Sequence, residues 1–166
     1  CGIIGLGRIG LEIANRLESF KVAIHYFSRI KKNVPENWIY HENPVDLAKS
    51  VDNLFVSLIG GHSTRGFVTS KVLDALGPTG ILVNISRGST IDETALLDAL
   101  ENKRIFGAGL DVFEKEPNIN PRFLKSENVF LKPHQGSGTH ETRQAMGDLQ
   151  FENILEYLVS RKVLTL

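Results

Sequence analysis

A glycine-rich loop near the start of the chain constrains the fold more than any other feature. Gly5, Gly7 and Gly10 form a G-x-G-x-x-G pattern between a short apolar run and a segment of helical periodicity. The first glycine permits a tight turn, the second admits a pyrophosphate close to the backbone, and the third lets the helix pack against the strand. The pattern therefore predicts a strand–turn–helix unit that binds a dinucleotide; the alternative is a glycine turn without a ligand. The expected contacts are Gly5, Leu6, Gly7, Arg8, Ile9 and Gly10.

Short apolar runs alternate with helical patterns along the rest of the chain. Runs that are apolar throughout suit a parallel sheet covered by helices on both faces. The sequence therefore predicts an α/β fold, namely a Rossmann-type doubly wound parallel sheet with helices on both faces, as a single domain over residues 1–138. A C-terminal helix and tail are expected over 139–166. The predicted strands are 2–5, 22–27, 54–58, 81–85, 106–112 and 129–131.

Capping residues predict where several helices begin and end. Asp92 is expected to open one helix, Gly77 to end another, and Pro44 to begin a short one that ends near Ser50. The longest helical pattern begins at Thr139. Its apolar members are Met146, Leu149, Ile154, Leu155 and Leu158.

Composition removes several classes of partner. The 166 residues carry 19 basic and 19 acidic side chains, so no broad basic surface is expected for nucleic acid or for a membrane. No apolar run reaches the roughly 18 residues that a membrane span needs. Cys1 is the one cysteine, which excludes an internal disulfide and a cysteine-based zinc site. We expect no metal and a cytoplasmic location. Because the chain opens inside a strand without Met, we also expect that a segment precedes it.

The end of the second predicted strand indicates which dinucleotide is bound. An NAD site usually has a carboxylate here for the ribose hydroxyls, whereas this strand ends in Ser28, Arg29, Ile30, Lys31 and Lys32. A hydroxyl and a guanidinium can bind a 2′-phosphate, and the lysines add positive potential. We therefore expect NADP(H) in preference to NAD(H), with Ser28, Arg29 and Ile30 in contact with it; the alternative is a solvated basic loop.

Polar side chains follow three further strands at their carboxyl ends, where ligands bind in open α/β sheets. Arg87 follows one strand, an acidic segment from Asp111 to Glu116 follows the next, and His134 follows the last. The pattern predicts that an arginine, an acid and a histidine meet at one sheet edge. Each residue alone is compatible with an ordinary loop position, but together they suggest acid–base chemistry.

Several motifs together resemble the D-isomer-specific 2-hydroxyacid dehydrogenases, and most of all their plant glyoxylate/hydroxypyruvate and hydroxyphenylpyruvate reductases. The resemblance covers essentially the whole chain. Besides the glycine loop, the motifs are Arg87-Gly88 with Ile91-Asp92-Glu93, Gly109-Leu110-Asp111-Val112-Phe113-Glu114-x-Glu116-Pro117, and Pro133-His134-x-Gly136-Ser137.

The resemblance implies a role for each polar residue. Arg87 is the anchor of the substrate carboxylate, Glu116 the orienting acid and His134 the proton donor, while Asp111 meets the nicotinamide end. Reduction of a 2-keto acid needs a hydride on carbon and a proton on oxygen, and histidine exchanges protons near neutrality. The remaining expected cofactor contacts are Ile85, Ser86, Arg87, Asp111, His134 and Gly136.

Family members carry a substrate domain that this chain lacks, so the terminal helix would return toward a missing partner. The resemblance thus implies a small 2-keto or 2-hydroxy acid as substrate, a homodimer, cofactor binding with poor activity of this chain alone, and exposed apolar residues on the last helix. Two alternatives remain open. One is a nonenzymatic dinucleotide-sensing module of the corepressor type, and the other is a different Rossmann enzyme such as a methyltransferase.

Overall fold

A seven-stranded, fully parallel sheet forms the centre of the fold. A computed structural model describes residues 1–165, and its strand order is β3-β2-β1-β4-β5-β6-β7. The strands are β1 Gly2–Ile4, β2 His25–Phe27, β3 Ile39–His41, β4 Asn53–Val56, β5 Ile81–Asn84, β6 Gly107–Leu110 and β7 Val129–Leu131.

Several helices begin or end at residues suited to a helix terminus. Asn43 accepts a hydrogen bond from the Val45 amide, and Asp92 accepts one from the Ala95 amide at 3.0 Å. Gly77 ends its helix at φ 77°, a conformation that glycine adopts without strain. The helices are α1 Arg8–Glu18, α2 Pro44–Lys49, α3 Ser70–Leu76, α4 Glu93–Glu101 and α5 His140–Ser160.

Alternating strand residues build a separate core on each face of the sheet. On one face Ile3 and Tyr26 are fully buried with Ala14 of α1. On the other, Val56 and Leu82 pack with a larger cluster that includes residues of α2, α3 and α4. Because side chains alternate along a strand, one apolar run supplies both layers. The predicted doubly wound α/β fold is confirmed.

One strand was not predicted, and several predicted strands are too long. β3 was missed because it has three residues and lies at the sheet edge, with Ile39 half exposed. The run 22–27 forms a strand only over His25–Phe27, and the run 106–112 only over Gly107–Leu110. The ends of a strand depend on how far it pairs with its neighbours and on whether it lies at the sheet edge, and the local sequence encodes neither.

The chain forms two compact units, one over Cys1–His134 and a second that begins at Gln135. The boundary expected after residue 138 therefore lies inside the second unit. The longest helix begins at His140, next to the predicted start at Thr139, and Thr139 caps it by accepting a hydrogen bond from the Thr142 amide at 3.1 Å. None of the described side chains of α5 is buried. No helix within residues 1–165 is long and apolar enough to cross a bilayer.

Candidate functional site

The glycine loop has the shape that a bound pyrophosphate requires. Gly5 adopts φ +97°, and a Cβ there would lie 2.9 Å from the Ser57 carbonyl oxygen. A Cβ at Gly10 would lie 2.2 Å from the Gly5 carbonyl oxygen, so only glycine lets α1 approach the turn. A Cβ at Gly7, in contrast, would meet open space. The loop is thus closed where it packs and open where a ligand would lie.

The amino terminus of α1 completes this cradle. Gly7 occupies the N-cap position and provides no side-chain cap, and the first helical hydrogen bond runs from the Leu11 amide to Gly7 O at 2.9 Å. Amides of the first helical turn have no partner within their own helix and favour an anion. Of the predicted contacts, Leu6 is buried in the core and Ile9 is 63% exposed.

Ser57 supports the loop and was missed by sequence reasoning. It directly follows β4, and its hydroxyl donates to Gly5 O at 2.7 Å. The bond fixes the turn from the neighbouring strand. The position of a serine after a central strand is the signal that could have identified it.

The basic segment after β2 is exposed at its charged side chains and anchored at its serine. Ser28 is buried and its hydroxyl donates to Ile30 O at 2.7 Å. Arg29, Lys31 and Lys32 are exposed. The buried Ser28 thus holds the backbone conformation of the segment, while the charged side chains of the segment lie at the surface.

Arg87 stands on a buried polar network. Its carbonyl accepts hydrogen bonds from Thr90 Oγ1 at 2.6 Å and from Asn84 Nδ2 at 3.1 Å. Ser86 donates to Asn84 Oδ1 at 2.8 Å. Asn84 is 1% and Thr90 0% exposed, so the backbone of Arg87 is held by side chains of the core. Sequence reasoning missed Asn84 and Thr90 because a buried polar network depends on tertiary contacts.

Two glycines let neighbouring backbone approach Arg87. A Cβ at Gly60 would lie 2.5 Å from Arg87 Cγ, and a Cβ at Gly88 would lie 1.8 Å from the carbonyl carbon of Phe113. Gly88 therefore joins the arginine segment to the acidic segment that follows β6. Asp111 begins that segment, is buried, and donates its amide to Asn84 O at 3.0 Å.

Glu116 and His134, which the sequence places near each other, are in direct contact. His134 Nδ1 lies 2.7 Å from Glu116 Oε2, while Glu116 Oε1 accepts a hydrogen bond from the Phe113 amide at 2.8 Å. The carboxylate is therefore held at both oxygens and in turn orients the imidazole. His134 adopts φ +54°, a left-handed conformation that is uncommon outside glycine and often found at functional sites.

Opposing effects set the ionisation of Glu116. Partial burial raises the pKa of its carboxyl group, but hydrogen bonds from His134 and from the Phe113 amide lower it, together with the charges of His134 and Arg87. The lowering effects win, so the pKa of Glu116 lies below its ordinary value and the carboxylate is charged near neutrality. Arg87 and His134 thus lie close enough to Glu116 for their charges to act on its carboxylate.

An open apolar pocket of about 340 Å³ adjoins this pair within the first unit. Glu116 and His134 form part of its wall, and Lys132 adds a cation. Ile85, another predicted contact, is half-buried after β5, whereas Gly136 lies in the second unit.

Two histidines outside this site contact each other. His25 Nδ1 and His41 Nε2 lie 2.9 Å apart across β2 and β3, and burial lowers the pKa of His25, helped by the charges of His41 and of the amino terminus. Within residues 1–165, no group of three potential ligands is placed to hold a metal ion. Trp38 is buried and its indole donates to Glu18 Oε1 at 2.8 Å.

Comparison with known proteins agrees with this geometry. Residues 1–136 match the family described as D-isomer specific 2-hydroxyacid dehydrogenase, NAD binding domain. The chain is 47% identical over 164 residues to a hydroxyphenylpyruvate reductase of Plectranthus scutellarioides, covering 99% of this chain and 52% of the relative. It is also 47% identical over 165 residues to a glyoxylate/hydroxypyruvate reductase A of Arabidopsis thaliana, with the same coverage of both.

Comparison with solved structures also finds reductases of this kind. The NADPH-dependent glyoxylate/hydroxypyruvate reductase of Sinorhizobium meliloti, in complex with NADP and malonate, matches with a TM-score of 0.95 at 48% identity. The match covers 99% of this chain and 51% of that one, so the chain spans about half the length of these relatives. The family match overturns the methyltransferase alternative. Sequence, fold and site geometry together place the chain in the D-isomer-specific 2-hydroxyacid dehydrogenase family, as its NAD-binding domain.

Proposed function

We propose that the chain is the NADPH-binding part of a reductase for small 2-keto acids such as glyoxylate or hydroxypyruvate. The observation that carries the proposal is the contact of 2.7 Å between His134 Nδ1 and Glu116 Oε2, formed beside Arg87 at the carboxyl edge of the sheet. A histidine oriented by a charged carboxylate is suited to donate a proton to a developing alkoxide.

The glycine loop and α1 would hold the pyrophosphate, because Gly7 faces open space at a helix amino terminus. The segment after β2 would hold the adenosine end, and Asp111 would lie toward the nicotinamide. The bound nicotinamide dinucleotide supplies the hydride for the 2-carbon of the keto acid.

Arg87 would bind the substrate carboxylate through its planar guanidinium, which matches a carboxylate in two parallel hydrogen bonds. The same charge would stabilise the oxygen that becomes negative as the carbonyl is reduced. Asn84 and Thr90 fix the Arg87 backbone, from which the side chain extends, and Arg87 Nη1 donates to Ser86 O at 2.6 Å.

His134 would give its proton to that oxygen from Nε2, since Nδ1 is engaged by Glu116. Glu116 would stabilise the imidazolium before transfer and keep the ring in place afterwards. The second hydrogen bond of Glu116, from the Phe113 amide, prevents the carboxylate from rotating with the ring.

The preference for NADPH rests on charge. No carboxylate stands in the segment from Ser28 to Lys32, and its cations are exposed. The cations of this segment would therefore attract a 2′-phosphate, whereas a carboxylate at the same position would repel it. The NADP complex of the Sinorhizobium meliloti reductase supports the same preference.

Titration of NADPH and NADH into the chain tests this preference, with nicotinamide fluorescence as the signal. We expect tighter binding of NADPH, and a loss of that preference in Arg29→Asp. Lys71→Asp reverses a charge on α3 and serves as the matched control, with the wild-type preference retained. Equal affinities for the two cofactors in the wild type would refute the proposal.

We further propose that the chain alone binds NADPH yet reduces keto acids slowly. The chain spans about half the length of its relatives, and positioning of a substrate between two walls contributes many kcal/mol to bimolecular chemistry. Oxidation of NADPH in the presence of glyoxylate, hydroxypyruvate or hydroxyphenylpyruvate checks this. Turnover at a rate typical of enzymes, about 10 per second, would contradict it.

A cytoplasmic homodimer is the proposed assembly. The exposed apolar side chains of α5 support self-association, and the lone Cys1 is compatible with a reducing compartment. Sedimentation at increasing protein concentration should show a dimer; a monomer at all concentrations would contradict it.

A further inference from the structure

The segment Ser28 to Lys32, here called the basic loop, is tied down at both ends by tyrosine hydroxyls. The Lys32 amide donates to Tyr26 Oη at 3.2 Å, and Tyr26 Oη donates to Lys32 O at 3.4 Å. Tyr40 Oη donates to Ser28 O at 3.3 Å. These three contacts join Ser28 and Lys32, the first and last residues of the loop, to tyrosines of strands β2 and β3.

The two tyrosines form a rigid base. Tyr26 and Tyr40 are direct neighbours in the register of β2 and β3, and their ring centroids lie 5.3 Å apart. Tyr26 is fully buried in the core on the α1 side of the sheet, and Tyr40 packs against the same cluster. A buried ring with a polar tip can fix a loop at little further cost in side-chain entropy.

The hydroxyl groups of Tyr26, Tyr40 and Ser28 also engage carbonyl oxygens of the basic loop, whose partial negative charge would otherwise oppose a bound anion. Ser28 O and Lys32 O accept from the tyrosines, and Ile30 O accepts from the Ser28 hydroxyl. A carbonyl oxygen directed at a phosphate would repel it. Holding three carbonyls in internal hydrogen bonds therefore removes negative ends of dipoles from the place where Arg29 and the lysines offer positive charge.

We propose that Tyr26 and Tyr40 are positioning residues for the 2′-phosphate of the cofactor, acting through the basic loop. This inference rests on the proposed preference for NADPH. The tyrosines do not touch the ligand; they hold the loop in the conformation that receives it, so binding spends less free energy on ordering the loop.

Binding of 2′,5′-ADP (adenosine 2′,5′-bisphosphate) and of 5′-AMP to the chain, measured by titration calorimetry, tests the inference. The two probes differ only in the 2′-phosphate, so the ratio of their dissociation constants reports on that group alone. We expect Tyr26→Phe and Tyr40→Phe each to reduce the preference for 2′,5′-ADP by about 3- to 10-fold, through lost preorganisation. Binding of 5′-AMP should stay near the wild-type value.

Tyr157→Phe is the matched control, since Tyr157 is the remaining tyrosine and lies in the second unit. It should retain the wild-type ratio. Circular dichroism and thermal unfolding establish whether each variant is folded. Because Tyr40 is only half-buried, Tyr40→Phe decides the matter if Tyr26→Phe does not fold.

The outcomes separate this inference from the proposed cofactor preference. An unchanged ratio in the folded variants would refute the tyrosine role while the preference for NADPH stands. Equal weakening of both probes would also refute it, because the hydroxyls would then support the adenosine site in general. A wild-type chain that binds the two probes equally would refute the NADPH proposal and this inference together.

Discussion

Arg87 and His134 lie at the same edge of the sheet, yet the protein holds them in opposite ways. The carbonyl of Arg87 is bound by Asn84 and Thr90, which are 1% and 0% exposed. His134 is bound by Glu116, and the two side chains are 45% and 34% exposed. The backbone of the arginine is therefore held by the core, and the ring of the histidine by a solvent-accessible hydrogen bond to a carboxylate.

The two kinds of support should contribute differently to stability and to the chemistry of the site. Hydrogen bonds in a buried network are costly to break, because a buried polar group is left without a partner. An exposed hydrogen bond between side chains contributes little to folding, but it sets the orientation of the ring. Mutations under Arg87 should thus act on the fold, and mutations beside His134 should act on the imidazole.

The largest expected effect comes from Gly88→Ala. The new Cβ would lie 1.8 Å from the Phe113 carbonyl carbon, so the arginine segment and the acidic segment would have to separate. We expect a loss of about 3 kcal/mol in the free energy of unfolding, measured with urea. Gly147→Ala in α5, where a Cβ meets nothing within 4 Å, is the control and should stabilise by up to about 1 kcal/mol. Equal stability of the Gly88 variant and wild type would show that the two segments are not in fixed contact.

Thr90→Val should have the next largest effect. It keeps the side-chain volume but removes the hydroxyl that donates to Arg87 O, at a cost of about 1–3 kcal/mol. Thr90→Ser keeps the hydroxyl and loses one methyl group, at a cost of about 1 kcal/mol. Urea unfolding should rank valine as the more damaging substitution. The reverse ranking would mean that packing, rather than the polar network, holds this position.

Glu116→Gln should change the imidazole more than the fold. Its carbonyl oxygen can still accept from the Phe113 amide, but its amide would then donate to His134 Nδ1 where the carboxylate accepts. We expect a stability change below about 1 kcal/mol. The nitrogen chemical shifts of His134 should show a change of tautomer. Unchanged shifts would indicate that Glu116 does not orient the ring in solution.

The smallest effect is the pH dependence of the same pair. Because the folded-state pKa of Glu116 is lowered, its contribution to stability is present above the ordinary carboxyl pKa of 4.5 and is lost as the pH falls through the lower value. Wild type should therefore lose more stability than Glu116→Gln as the pH falls below about 4.5, in urea titrations at several pH values. Parallel curves for the two proteins would contradict the lowered pKa.

The elements that the sequence predicts best are those with local signals. The start of α5 next to Thr139, the cap at Asp92 and the glycine loop each depend on a few consecutive residues, and each is present in the structure. β3 has no such signal, because three half-exposed residues become a strand only by pairing with β2.

The same division applies to the candidate site. Arg87, Glu116 and His134 could be predicted because each follows a strand, and parallel strands bring their carboxyl ends to one edge. The supporting residues could not: Ser57, Thr90 and Tyr40 act through hydrogen bonds to partners on other strands or turns. Their roles arise from contacts whose distances no local pattern encodes.

The sequence by itself determined the alternation of strands and helices, the glycine turn and the identity of the polar residues at the sheet edge. These properties follow from backbone preferences and apolar periodicity, which act between near neighbours. Tertiary structure alone decided that Arg87 stands on a buried network while His134 depends on an exposed carboxylate. Burial depends on how the strands pack. It determines whether a hydrogen bond mainly stabilises the fold or mainly orients an exposed side chain.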